Sequence, residues 1–191
     1  MLKILHTADA RQGAKFSGLG NKGASQREQV RATFKNVIAT AIDERVNIVL
    51  IAGDLFDANQ QPQRNIDLVI EQFNLLEQND IPICLIPGTH DSLDSSSIYK
   101  KVDFEGECSN LKIFTGENIS YKEYPDLNLT VYGKPNLSNR SYVSPVKGLK
   151  PLTSTRFHIA MAHGSLYIPE KIAADDHVFK LEEVKASGMD Y

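Results

Sequence analysis

Residues 47–57 read Asn-Ile-Val-Leu-Ile-Ala-Gly-Asp-Leu-Phe-Asp, and this stretch decides the fold. Asn47–Ala52 is a short apolar run, and Gly53-Asp54 closes it in a turn, as expected for a strand ending in a polar loop. Upstream, Leu2–His6 repeats the pattern and runs into Thr7-Ala8-Asp9. Between the two, Ser25 and Glu28 spell an S-x-x-E capping box, and Val30, Phe34, Val37, Ile38, Ala41 and Ile42 recur at helical spacing, predicting a helix from about 26 to 45. Downstream, Ile66, Val69, Ile70, Phe73 and Leu76 mark a second helix, and Ile81–Ile86 a third strand ending at Pro87-Gly88. Strand, helix, strand, helix, strand implies an α/β fold with a parallel sheet and right-handed crossovers.

The second half changes character. Leu111–Phe114, Leu129–Tyr132 and Phe157–Ala162 are strand-like, 138–154 reads as a long surface loop, and helical spacing returns only at Leu181–Ala186. No internal repeat or interdomain linker interrupts the chain, so 1–191 is expected to form one domain or a large part of one.

Composition narrows the class. With 41% hydrophobic and 24% charged residues over 191 positions, the chain is that of an ordinary globular protein with a real core. No apolar run is long enough to cross a bilayer, and Met1-Leu2-Lys3 leads into a strand, not a signal peptide, so a cytoplasmic location is expected. Cys84 and Cys108 are too few for a disulfide framework, and Cys84 reads as a small buried thiol. The net charge of -3 argues against a strongly electrostatic nucleic-acid binder, but its distribution is uneven. Residues 1–35 carry Lys3, Arg11, Lys15, Lys22, Arg27, Arg31 and Lys35 against Asp9 and Glu28, a net of +5, which leaves -8 for the remainder. This basic segment could hold a polyanion, and a solvated helix face accounts equally well for Arg27, Arg31 and Lys35.

Four strands end in groups suited to a metal: Asp9, then Asp54 and Asp57, then His90 and Asp91, then His163. Ligands in open α/β sheets bind beyond the carboxyl ends of the strands, so the four ends can converge. Carboxylates mixed with imidazoles suit Mn, Zn or Fe, and a carboxylate can bridge paired ions that activate water and neutralise a phosphate.

His6-Thr7-Ala8-Asp9, Gly53-Asp54-Leu55-Phe56-Asp57, Gly88-Thr89-His90-Asp91 and His163-Gly164 resemble the ordered motifs of calcineurin-like metallophosphoesterases, most closely the SbcD-type DNA-repair exonucleases. The resemblance spans essentially the whole chain, with Gly53–Asp57 its most specific block. It implies a layered α-β-β-α sandwich and two divalent ions, manganese in the first instance. Asp9 would bind the first ion, Asp54 would bridge both, and His163 would bind the second. His90 would contact the scissile phosphate and help protonate the leaving group, Asp91 would hold His90 in place, and Asp57 would stand behind them. The implied reaction is attack of a metal-bound hydroxide on phosphorus, with DNA as substrate and an SbcC-like coiled-coil ATPase as partner through segments C-terminal to this domain. Gly188-Met189-Asp190-Tyr191 resembles the segment that precedes a G-H-x-H motif in that family, so the domain is expected to continue beyond it.

The chain also departs from that pattern. Arg11 stands where the family's D-x-H motif has its histidine, and Thr89 replaces the asparagine of G-N-H-D, a hydroxyl in place of an amide oxygen. Guanidinium is permanently charged and no metal ligand, but at this position it can pair with Asp9 or grip a phosphate. Arg11 is therefore expected to replace part of the first ion's charge, with Lys15 and Lys22 of the glycine-rich 11–25 loop as further phosphate contacts. A non-catalytic binding or scaffold module and a phosphodiesterase for small substrates remain open as alternatives. Gly18-Leu19-Gly20-Asn21-Lys22-Gly23 spells G-x-G-x-x-G, but it lies a dozen residues past the strand and lacks the strand–turn–helix setting of a dinucleotide site. His158 is expected to face away from His163, His6 to fix its loop, and His177 to be exposed.

Overall fold

The computed structural model describes all residues from Met1 to Tyr191. Strands β1 (Ile4–Thr7), β2 (Ile48–Ala52), β3 (Ile83–Ile86) and β4 (Leu111–Ile113) form an all-parallel sheet in the order β1-β2-β3-β4. Helix α1 (Gly23–Asp43) connects β1 to β2, α2 (Gln63–Glu77) connects β2 to β3, and the short α3 (Ile98–Lys101) and α4 (Phe104–Glu107) precede β4. A second sheet holds β5 (Ser120–Tyr124), β6 (Leu129–Gly133) and β7 (Phe157–Met161), with β5 antiparallel and β7 parallel to β6. A two-stranded ribbon of β8 (Ser165–Leu166) and β9 (Val178–Phe179) precedes α5 (Leu181–Ala186).

Alternation along β2 explains the layering. Every residue from Ile48 to Ala52 is buried, because the strand lies between two apolar layers. Val49 and Ile51 join Ile83 and Leu85 against Phe34, Ile38 and Ala41 of α1 and Val69, Phe73 and Leu76 of α2. Ile48, Leu50 and Ala52 point the other way, onto Leu129, Val131, Ile159 and Met161 of the second sheet. Burying side chains of this size contributes roughly 1.5–3 kcal/mol each. Beyond the second sheet, Tyr132 packs under Val146, Leu149, Phe179 and Met189, so the fourth layer consists of the 140–154 loop and the 178–189 segment, with α5 as its helix. The α-β-β-α order holds, with that last layer mostly irregular.

Some local expectations change. The helix expected from 26 begins at Gly23, and Ser25 lies inside it without capping it. Glu28 pairs with Arg31 instead, one turn along the helix. The glycine-rich loop is ordered into a 3-10 turn over Ser17–Lys22 that runs directly into α1. Strand β5 escapes a hydrophobicity-based reading because its Ser-Tyr-Lys-Glu-Tyr sequence is an exposed edge.

Candidate metal centre

The loops after β1 and β2 are zipped together. Asp9 N donates to Gly53 O at 3.1 Å, Arg11 N to Asp54 O at 3.0 Å and Gln12 N to Leu55 O at 2.8 Å. This register requires unusual backbone: Asp9, Arg11 and Asp54 all have positive φ (54°, 48° and 53°), a conformation costly for Arg especially. Two glycines make room for the cluster. A Cβ on Gly53 (φ 87°) would come within 2.5 Å of His163 Nδ1, and one on Gly88 within 2.2 Å of Asp54 Oδ1.

Asp54 is the hub, with 1% of its surface exposed. Its Oδ1 accepts the amide of His90 at 2.9 Å, its Oδ2 accepts Arg11 Nη1 at 2.8 Å, and Thr89 Oγ1 lies 3.4 Å from both oxygens. His163 Nε2 lies 3.6 Å from Asp54 Oδ1. The His163 tautomer is set from behind: Nδ1 donates to the Ala52 carbonyl at 2.7 Å, which leaves the lone pair on Nε2 facing Asp54. Ligand atoms of Asp9, Asp54 and His163 all lie within 4.8 Å of one another. Ligands sharing one ion at 2.0–2.2 Å sit about 3–3.5 Å apart, so a small inward movement completes a three-ligand site. The donor set fits one divalent ion. It does not supply a second, because Arg11 occupies the other side of Asp54 and also donates from Nε to Asp57 Oδ1 at 2.9 Å. Arg11 thus pairs with Asp54 and Asp57 and not with Asp9, because the zipped loops after β1 and β2 bring these two carboxylates to the guanidinium.

Asp91 does not hold the His90 ring. Its Oδ1 accepts the amides of Gly88 (2.7 Å) and Asp54 (3.2 Å), and its Oδ2 accepts the amide of Phe56 (3.1 Å) and the hydroxyl of Tyr99 (2.6 Å). It is a fully buried clamp for the loops after β2 and β3, and burial raises its pKa above the ordinary carboxylate value despite these donors. The exposed His90 ring is held instead by Asp57, whose carbonyl accepts from Nδ1 at 3.2 Å. His90 and Thr89 border an open cleft of about 700 Å³, together with Asp57, Asn139 and Arg140.

Among the basic residues named from the sequence, only Arg11 reaches the cluster. Lys15 lines a different cleft, and Lys22 is exposed at the end of the 3-10 turn. Two contributors had no sequence signal: Tyr99, an apolar-looking residue of a one-turn helix, and Arg140, at the cleft rim in an ion pair with Asp175 at 2.9 Å. His158 faces away from the site, as expected, with Nδ1 3.1 Å from Tyr132 Oη. His6 bonds Tyr191 Oη at 2.9 Å and so ties the end of β1 to the 190–191 segment, which docks on β7. His177 corrects the expectation of exposure: it is 4% exposed and donates from Nε2 to the Ser138 carbonyl at 3.0 Å.

Two carboxylates and a tautomer-fixed imidazole, brought together at the carboxyl ends of strands from both sheets, have the donor set of a divalent-metal site and the layering of a phosphoesterase. The chain belongs to the calcineurin-like phosphoesterase family, which it matches over residues 2–189. It is 32% identical over 172 residues to a DNA double-strand break repair protein Mre11 from Sulfolobus acidocaldarius, covering 88% of this chain and 43% of that one. It is 27% identical over 199 residues to the uncharacterized metallophosphoesterase YhaO of Bacillus subtilis, covering 100% of this chain and 47% of that one. The chain therefore spans less than half the length of these relatives. Among solved structures, TT1561 of Thermus thermophilus superposes with a TM-score of 0.53 at 13% identity, covering 98% of this chain and 78% of that one, a likeness of fold alone. No helix is long and apolar enough to cross a membrane.

Proposed function

We propose that this domain hydrolyses phosphodiester bonds with a divalent metal, manganese in the first instance, and that its substrate is DNA, in the manner of a repair exonuclease. The observation that carries this reading is the Asp9–Asp54–His163 cluster, with the His163 lone pair directed at Asp54 by the Ala52 carbonyl. These three side chains would hold the ion, with the Thr89 hydroxyl as a weak fourth donor. A divalent ion held there would neutralise charge on the phosphate and would activate water as the nucleophile.

The chain's own residues do the rest. Arg11 commits Nη1 to Asp54 and Nε to Asp57, which leaves Nη2 to grip a phosphate oxygen. His90, its Nδ1–H anchored on the Asp57 carbonyl, presents Nε2 to the cleft, where in the imidazolium form it gives its proton to the leaving oxygen. Asp91 keeps the amides of residues 54, 56 and 88 in register so that Asp54 and His90 stay aligned. The relatives' name as break-repair proteins supports DNA over a small phosphodiester. A cytoplasmic location and a coiled-coil ATPase partner belong to the same reading.

Turnover of bis-p-nitrophenyl phosphate and of end-labelled duplex DNA, with manganese and with chelator, tests it. Manganese-dependent turnover that Asp54→Asn abolishes is expected, and no turnover of either substrate by a folded, metal-loaded protein would sink it. A non-catalytic binding module is the second reading, and one observation favours it: the Arg11 guanidinium sits on the carboxylate oxygen that a second ion would need.

A further inference from the structure

We propose that the cleft between the 13–16 loop, the first turns of α1 and the start of α2 binds backbone phosphates of a polynucleotide chain at a distance from the bond being cut. Lys15, Arg27, Arg31 and Arg64 line this cleft of about 310 Å³, and no carboxylate residue does. Of the four, only Arg31 is ion-paired, to Glu28. Two guanidinium groups are fixed by neutral partners: Arg27 Nη1 donates to the Lys15 carbonyl at 2.8 Å, and Arg31 Nη2 to Asn65 Oδ1 at 3.4 Å. Helix α2 opens at the same place with no side-chain cap, so its dipole adds positive potential.

A solvated helix face accounts for cations on a convex surface flanked by acids. Here four cations from three segments converge on one concavity, in a chain whose net charge is -3. Such a cleft gathers counterions that a polyanion displaces on binding, and the acidic remainder of the molecule disfavours the same ligand elsewhere.

Position relates the cleft to the candidate metal centre. The 9–16 loop carries Arg11 to one and Lys15 to the other, and Gln60 borders both this cleft and the one containing Thr89 and His90. A chain with its scissile phosphate near His90 can therefore continue past Gln60 and lay neighbouring phosphates among the arginines, whereas a small phosphodiester ends before reaching them. The inference rests on the hydrolytic reading above only for this direction of travel. The cleft itself is independent of the metal.

Anisotropy of a fluorescein-labelled 20-base-pair duplex, measured in EDTA between 50 and 200 mM salt, tests the site without catalysis. The double charge reversal Lys15→Glu/Arg64→Glu is expected to weaken binding at least tenfold at 50 mM salt and to lower the salt slope by about 2, near 0.9 for each phosphate no longer neutralised. Lys101→Glu, on the exposed end of α3, is expected to bind like wild type. Both Lys15 and Arg64 are exposed, and the milder single variants Lys15→Gln and Arg64→Gln, each expected to weaken binding severalfold, replace the reversal if it unfolds. The proposal is overturned if folded wild type binds no duplex, if the cleft variants match wild type, if Lys101→Glu weakens binding equally, or if inorganic phosphate at the same phosphate concentration displaces the duplex, which would make this a free-anion site. Hydrolysis of bis-p-nitrophenyl phosphate is scored separately. Duplex binding abolished in the cleft variants with no hydrolysis by wild type leaves the cleft standing and removes the hydrolytic reading; hydrolysis with unaltered duplex binding does the reverse.

Discussion

The Tyr99 hydroxyl donates a 2.6 Å hydrogen bond to Asp91 Oδ2, so a residue of the one-turn helix α3 holds the carboxylate that holds the metal-site loops. All four groups on Asp91 are donors: the hydroxyl and the amides of Gly88, Asp54 and Phe56. Asparagine is nearly isosteric but replaces one acceptor oxygen with an NH2 group that would face two of these donors. Asp91→Asn is expected to lower stability by about 2–4 kcal/mol, and Tyr99→Phe, which removes one donor, by about 1 kcal/mol. Urea unfolding monitored by circular dichroism measures both. Equal stability of Asp91→Asn and wild type would show that the clamp is not a carboxylate.

His177 gives the molecule a pH dependence. Burial is the largest cause lowering its pKa below 6.5; His163 and Lys134 act the same way, and the Ser138 carbonyl and Asp176 oppose them. The fold therefore favours the neutral ring. That contribution is fully present above the unfolded value near 6.5 and is lost as pH falls through the window between 6.5 and the depressed folded value. The thermal midpoint is expected to fall between pH 7.5 and 5, and His177→Gln, which keeps a donor for Ser138, is expected to flatten part of that fall. Parallel curves for the two proteins would rule out His177 as the cause.

Much of this architecture is legible in the residues. Strands β2 and β3 are short apolar runs because both faces are covered, and the glycines that end them mark loops that a Cβ would block, as Gly53 against His163 shows. Arg11 and Thr89 stood out because the chemistry of a metal ligand excludes the first and weakens the second. Pairing across the fold was not legible. Nothing near Asp91 announces that its partners are Tyr99 and three backbone amides, and nothing near His177 announces Ser138 from a loop 39 residues earlier. The capping box failed for a related reason: the preceding 3-10 turn carries the helix start to Gly23, so Ser25 never occupies a cap.

The two thiols should be inert in the folded protein. Burial pushes Cys84 up to about 12 and Cys108 up to about 11, and Cys84 Sγ also bonds Tyr124 Oη at 3.0 Å. At pH 8 their thiolate fractions are then about one part in ten thousand and one in a thousand. Dithionitrobenzoate is expected to release almost no thionitrobenzoate from the native protein over an hour and two equivalents per chain in guanidinium. Rapid release of one equivalent without denaturant would contradict the burial.

Arg11 is expected to set the number of ions the centre holds. Its guanidinium lies 2.8 Å from Asp54 Oδ2 and 2.9 Å from Asp57 Oδ1, and it contributes a fixed positive charge where a bridging carboxylate would face a second cation. Asp54 is buried and Arg11 about one-third exposed, so the pair is partly screened, and Arg11→Ala in chelator is expected to lower stability by about 2 kcal/mol through the uncompensated carboxylate. Manganese should restore that loss in Arg11→Ala more than it stabilises wild type, since the ion then takes over the missing charge. Titration calorimetry, with bound manganese counted by elemental analysis, should give about one ion per wild-type chain. Arg11→His, which supplies an imidazole from the same loop, should bind more than one ion or bind its first at least tenfold more tightly. Two ions on wild type at micromolar metal would show that the guanidinium swings away at no great cost, and the electrostatic replacement would then be wrong.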